Sequence, residues 1–90
     1  MKYGIYSVKD QLVGFMSPTL DKNDDTAKRN FKTSVNRFDH DGDYIVNDLA
    51  LYCIGKFDVD TGVIESCDPK LIALATSLIE HSIGGDSDDV

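Results

Sequence analysis

Positively charged side chains are concentrated in one stretch of this chain, where they could contact the phosphates of a nucleic acid. The candidates are Lys28, Arg29, Lys32 and Arg37, with Lys9 and Lys22 as outlying members. Lys28 and Lys32 lie one turn apart on a predicted helix, and Arg29 lies beside them. A charged helix surface that only faces water is the alternative interpretation of this pattern. If four of these cations contact single-stranded DNA, log K should fall with log salt concentration at a slope of about −3.

The distribution of charge along the chain also favours this segment as the site that binds an anionic partner. Residues 1–37 carry seven cations and four anions, whereas residues 38–90 carry two cations and twelve carboxylates. The net charge of the 90-residue chain is −7. An anionic partner is therefore expected to meet the first half, and the overall acidity argues against tight, indiscriminate binding to duplex DNA.

The aspartates at positions 39, 41 and 43 have the spacing of a calcium-binding loop. That loop requires glycine at its sixth position and a bidentate glutamate at its twelfth, where this chain has Tyr44 and Ala50. A solvated loop is the better interpretation, and no metal site is predicted.

No residues form a recognisable catalytic group. His40 and His81 have no evident serine or cysteine nucleophile beside them, and no glycine-rich phosphate loop is present. The sequence therefore predicts a protein that is not an enzyme and that uses no cofactor.

The elements that would position the cations alternate between hairpins and helices. Strands are expected at 2–9 and 12–16, a helix at 24–38 with a buried stripe, a hairpin at 49–66, and a second helix opened by Asp68 and Pro69. The stripe of the first helix consists of Ala27, Phe31, Val35 and Phe38. The predicted fold is α+β, in the order ββαββα, with a four-stranded antiparallel sheet and two helices packed on one face. We expect a single domain over 1–83 and an acidic disordered tail over 84–90.

The second hairpin has a specific turn signal. Asp60 and Thr61 can occupy a type I turn, and Gly62 can supply the positive φ that closes a three-residue loop with a bulge. The two cysteines, Cys53 and Cys67, are expected to be reduced thiols, because no export signal is evident and the location follows as cytoplasmic. No apolar run is long enough to span a membrane.

Alternation along the strands leaves apolar or aromatic groups on both faces of the sheet. On the first strand Tyr3 and Ile5 point away from Tyr6 and Val8, and on the third Leu49, Leu51, Cys53 and Phe57 point away from Tyr52 and Ile54. Two helices can cover only one face. The open face is expected to form a homodimer, and the alternative is that Tyr6 or Tyr52 stacks on nucleic-acid bases there.

Several segments resemble one viral family. They are the first hairpin (Lys2, Tyr3, Ile5, Tyr6, Val8, Asp10, Val13, Gly14, then Pro18), the helix residues Ala27, Arg29, Phe31, Val35 and Asn36, and the string DLALYCIGKFDVDTGVI. Together they resemble the small non-structural protein of the gokushovirus branch of the single-stranded-DNA microviruses. The likeness covers about residues 2–70, and IG-x-FD-x-x-TG is its most specific part.

That resemblance implies a bacteriophage protein made in the bacterial host cytoplasm and absent from the mature capsid. Its implied role is in DNA replication, at the switch from duplex synthesis to the production and packaging of single strands, through single-stranded DNA. It assigns no functional residues. The leading hypothesis is a single-stranded-DNA-binding accessory that acts as a homodimer. The alternative is a protein-interaction module that binds a replication initiator, a capsid precursor or a host factor without touching DNA.

Overall fold

The computed structural model describes residues 1–41 and 46–78. Within them the chain forms five β-strands and one α-helix, with two short 3-10 helices at Val46–Asp48 and Ala75–Ser77. The bounds of the main elements are β1 Lys2–Asp10, β2 Gly14–Phe15, β3 Thr19–Asp21, α1 Asp24–Asp41, β4 Leu49–Asp58 and β5 Ile64–Leu74.

The strands form one antiparallel sheet with β1 and β4 in its middle. β1 pairs with β4 along its whole length, and its other edge pairs with the two short strands β2 and β3. β4 pairs with β5 on its far side, so β5 is an edge strand. The connections between neighbouring strands are short, except that α1 lies between β3 and β4.

The predicted four-stranded sheet with two helices is wrong, because the segment that follows the second hairpin is a strand. Asp68 and Pro69 lie inside β5 and do not open a helix. This segment pairs with β4, from Phe57 opposite Ile64 at one end to Ala50 opposite Leu74 at the other. The hydrogen bonds of this pairing override the local helix signal. Proline is tolerated there because β5 is an edge strand and its pairing with β4 is interrupted beside Pro69. The predicted end of the second helix and the tail at 84–90 lie outside the described residues.

The predicted first helix forms and runs further than expected. Asn23 caps it, since its side-chain oxygen accepts a hydrogen bond from the Thr26 N–H at 2.8 Å. α1 continues to Asp41, so Asp39 and Asp41 lie in the helix and not in a loop. Asp43 lies outside the described residues, and among those described no group of three or more metal-binding side chains is present.

The core lies between α1 and one face of the sheet. From the helix, Ala27, Phe31 and Val35 are at most 4% exposed, which confirms three members of the predicted stripe. The fourth, Phe38, has a side chain that lies outside the described part of the chain. They pack against sheet residues, chiefly Tyr6, Leu49, Leu51, Cys53 and Ala73. This face of the sheet is the covered face; the other is called the open face.

A bulge in β4 changes which residues reach the open face. Tyr6 pairs with Cys53 but its neighbour Ile5 pairs with Gly55, so Ile54 has no partner on β1. One extra residue reverses the alternation beyond it. Phe57, which pairs with Tyr3, therefore lies on the open face, whereas strict alternation placed it with Cys53.

The hairpin between β4 and β5 forms as predicted, with a loop one residue longer. The N–H of Asp58 donates to the Val63 carbonyl at 2.9 Å, and the Gly62 N–H donates to the Asp58 carbonyl at 2.8 Å. Residues 59–62 thus form the loop, and Gly62 has the expected positive φ of 77°. Cys53 is buried and Cys67 is exposed, and both are free thiols.

Candidate nucleic-acid interface

The predicted cationic residues of the helix lie on the surface of α1 that faces away from the sheet. Lys28, Arg29, Lys32 and Arg37 are all exposed. Because Ala27, Phe31 and Val35 face the core, Arg29 lies on the outermost side of the helix, and Lys28 and Arg37 lie on its two flanks. The four cations therefore cover the whole outer surface of α1, which is wider than a single flank.

This outer surface contains no carboxylate along most of its length. Residues 26–38 include four cations and no acidic residue, while Asp24, Asp25, Asp39 and Asp41 stand at the ends of α1. None of the ion pairs within the described part of the chain involves Lys28 or Arg29. These two side chains can therefore approach a polyanion without first breaking such a pair.

The helix is held to the sheet at its first turn by a buried phenol. The Tyr6 hydroxyl donates to Asp24 Oδ1 at 2.7 Å, and Lys70 Nζ lies 3.5 Å from the other carboxylate oxygen. Burial and the adjacent carboxylate raise the pKa of Tyr6 well above its usual value. The hydrogen bond from Tyr6, aided by Lys70, lowers the pKa of Asp24.

Tyr6 cannot serve as a stacking platform for a base. Its ring belongs to the core and the residue is 1% exposed. Alternation in the sequence correctly placed Tyr6 and Tyr3 on opposite faces of the sheet. It did not indicate which of these faces α1 covers. Tyr6 is therefore a residue that positions α1.

The two other predicted residues, Lys9 and Tyr52, lie on the open face, on the far side of the sheet from the outer surface of α1. Phe15 joins them there. Its ring meets Tyr52 edge to face with centroids 5.6 Å apart, and the Lys9 ammonium lies 5.5 Å from its centroid. The structure therefore brings Lys9 and Tyr52 together but does not bring them to the helix cations. Sequence analysis missed Phe15, although its place in the first hairpin, close in sequence to Lys9, was a usable signal.

The part of the open face near β3 and the start of β5 is largely apolar. Tyr3, Phe57 and Ile64 form one row across β1, β4 and β5, and Ile5 pairs with Leu20 in the next row. A groove of about 300 Å³ runs between these rows, and no charged residue lines it. Leu20 is 48% exposed and Ile64 66% exposed. Such a surface suits a protein partner better than a phosphate chain.

The motif IG-x-FD-x-x-TG, the most specific part of the resemblance, forms the second hairpin. A side chain at Gly55 would come within 2.5 Å of the Glu65 carbonyl on β5, so the close pairing there requires glycine. Asp58 Oδ1 accepts hydrogen bonds from the N–H groups of Asp60 and Thr61, and Thr61 Oγ1 accepts one from Val63. With Gly62 at positive φ, each of these residues has a structural role in the hairpin.

Comparison with known proteins agrees with the phage origin that the resemblance implied. The sequence profile of the phage ORF5 protein matches residues 3–78, which include α1, β2 to β5 and all of β1 except its first residue. No curated protein and no solved structure matches the chain. In the part of the chain described here, no helix is both long enough and apolar enough to cross a membrane. Because the profile covers most of its length, this chain belongs to the phage ORF5 protein family.

Proposed function

We propose that this phage protein is a non-enzymatic accessory of genome replication that binds single-stranded DNA through the outer surface of α1. In this proposal it acts in the bacterial host cytoplasm, in a gokushovirus-type phage, when replication switches to the production and packaging of single strands. The observation that carries the proposal is the run of four exposed cations without a carboxylate over residues 26–38.

The physical basis of the proposal is phosphate binding. Lysine and arginine side chains that neutralise phosphates release condensed counterions, which makes binding favourable at low salt and strongly salt-dependent. The net charge of −7 opposes non-specific attraction elsewhere on the molecule and favours binding of a polyanion where cations prevail, as on the outer surface of α1. Moderate, salt-sensitive affinity is the expected result.

A second function is favoured by the apolar groove on the open face. The uncharged row of Tyr3, Phe57 and Ile64 can bury against another protein, either a second copy of this chain or a replication initiator, capsid precursor or host factor. This face is opposite to the outer surface of α1, so a protein partner there and DNA on the helix do not compete. The two functions are therefore compatible in one molecule.

Fluorescence anisotropy with a labelled single-stranded oligonucleotide tests the DNA proposal. We expect binding at about 50 mM salt, and a fall in affinity of about 50-fold on going to 200 mM, for four phosphate contacts. Absence of binding at 50 mM salt and high micromolar protein would reject the proposal. A partner recovered from infected cells that survives nuclease treatment, together with no oligonucleotide binding, would favour the second function.

A further inference from the structure

A cleft of about 270 Å³ lies between α1 and the sheet, on the side where β3 pairs with β1. Its floor is apolar and includes Val8 and Phe31, and Leu20 of β3 forms one wall. The helix contributes the short side chains of Ala27 and Ser34, which leave the space unfilled. Thr19 and Leu20 also line the groove on the open face, so β3 stands between the two spaces, and the cleft is the one that lies under the helix.

The mouth of the cleft carries hydrogen-bonding groups. Asn30 Nδ2 donates to Asp21 Oδ1 at 3.1 Å, across the gap between α1 and β3. That bond uses one carboxylate oxygen, so the second oxygen of Asp21 and the amide oxygen of Asn30 can accept hydrogen bonds from a ligand. The rim thus places an acceptor-only oxygen of Asp21, beside the Asn30 amide, above an apolar interior.

Cations flank this rim on both sides. Asn30, Ser34 and Arg37 follow one another at helical spacing and so share one flank of α1. Lys22 directly follows Asp21 at the end of β3 and is exposed, as is Arg37. An apolar slot with acceptors at its mouth and a cation on each side matches an unpaired nucleobase and the phosphates before and after it.

We propose that this cleft holds one base of the bound single strand, with Lys22 and Arg37 on the flanking phosphates. The inference rests on the proposed DNA binding and adds a specificity to it. Because the free carboxylate oxygen of Asp21 accepts hydrogen bonds and does not donate them, a base with an exocyclic amino group is preferred over thymine. Cytosine is the informative probe, since it has the size of thymine but carries an amino donor at N4.

The test compares labelled oligonucleotides of ten deoxycytidines and ten thymidines, which carry the same charge. We expect the deoxycytidine strand to bind about fivefold more tightly, as one hydrogen bond allows. Asp21→Asn, which replaces the acceptor by a donor, should bring the ratio to about one. Ser34→Leu, which fills the cleft, should weaken deoxycytidine binding, whereas Ser17→Leu in the exposed segment between β2 and β3 should not. Circular dichroism of each variant establishes that it is folded.

The outcomes separate this inference from the proposal on which it rests. Equal binding of both strands with a steep salt dependence would overturn the base site and leave phosphate binding by α1 intact. An unchanged ratio in folded Asp21→Asn would also overturn it. Failure of both strands to bind at low salt would overturn the base site and the DNA proposal together.

Discussion

Tyr6 joins the sheet to the first turn of α1 through its 2.7 Å hydrogen bond to Asp24. The contact decides where the helix begins on the sheet, and therefore where the cationic surface lies. A hydrogen bond to a charged group typically contributes about 1.5–3 kcal/mol, and partial exposure of this carboxylate reduces that figure. Alternation in the sequence could place Tyr6 on one face, but its partner, 18 residues away, could not be inferred from spacing.

We expect Tyr6→Phe to lower the free energy of unfolding by about 1–2 kcal/mol at pH 7, because the ring stays buried and only the hydrogen bond is lost. The pKa of Asp24 is lowered in the folded protein, so its contribution is present at neutral pH and is lost as pH falls through that pKa. Urea unfolding should therefore show the difference between the two proteins narrowing below about pH 4.

The hydrogen bond between Tyr6 and Asp24 also makes the stability of the protein depend on pH in the alkaline range. The raised pKa of Tyr6 means that the unfolded chain loses this proton near pH 10 while the folded protein retains it. The stability of the wild type should therefore decline relative to Tyr6→Phe above about pH 10. A stability difference that is constant from pH 3 to pH 11 would contradict the assigned hydrogen bond.

At the scale of elements, the sequence predicted those features that depend on interactions between residues close together in the chain. The second hairpin and the buried stripe of α1 were predictable because a turn glycine and helical spacing act over a few residues. The sequence did not predict that Asp68 and Pro69 lie in a strand, because that strand depends on pairing with β4. It did not predict the bulge at Ile54 either, because the bulge depends on pairing with β1. Of the candidate site, the helix cations could be chosen from sequence, but their separation from Lys9 and Tyr52 required the topology.

Gly62 provides a test of the hairpin. A Cβ at this position would meet nothing within 4 Å, so Gly62→Ala should cost only the conformational strain of its positive φ. We expect a loss of about 1 kcal/mol in the free energy of unfolding, measured with urea. Gly62→Asn is the matched control and should lose less, since asparagine adopts this conformation more readily. Equal stability of Gly62→Ala and the wild type would show that the loop does not require glycine.

At the scale of the whole molecule, the sheet separates two surfaces of different chemistry. The outer surface of α1 is cationic, while the open face presents an uncharged groove lined by residues such as Phe57 and Ile64. A molecule with net charge −7 repels its own copies, and self-association is favoured only where an uncharged surface can be buried. The open face meets that condition, and the outer surface of α1 does not.

Light scattering over a range of concentrations tests whether the open face joins two copies. We expect the wild type to have twice the monomer mass at high micromolar concentration. Ile64→Lys should give a monomer, because a charge would be buried in the interface. Leu12→Lys changes a residue that is 77% exposed in the loop after β1 and should leave the dimer intact. A wild type that stays monomeric throughout, or an Ile64→Lys protein that dimerises normally, would contradict this assignment.

The most direct test of the central claim is the salt dependence of oligonucleotide binding in two matched variants. Lys28→Gln/Arg29→Gln and Lys2→Gln/Lys70→Gln remove the same charge, but only the first removes it from the outer surface of α1. With log K measured against log salt concentration, we predict a slope of about −3 for the wild type and for the second variant, and about −1.4 for the first. Equal slopes for the two variants would contradict the assignment of DNA binding to α1.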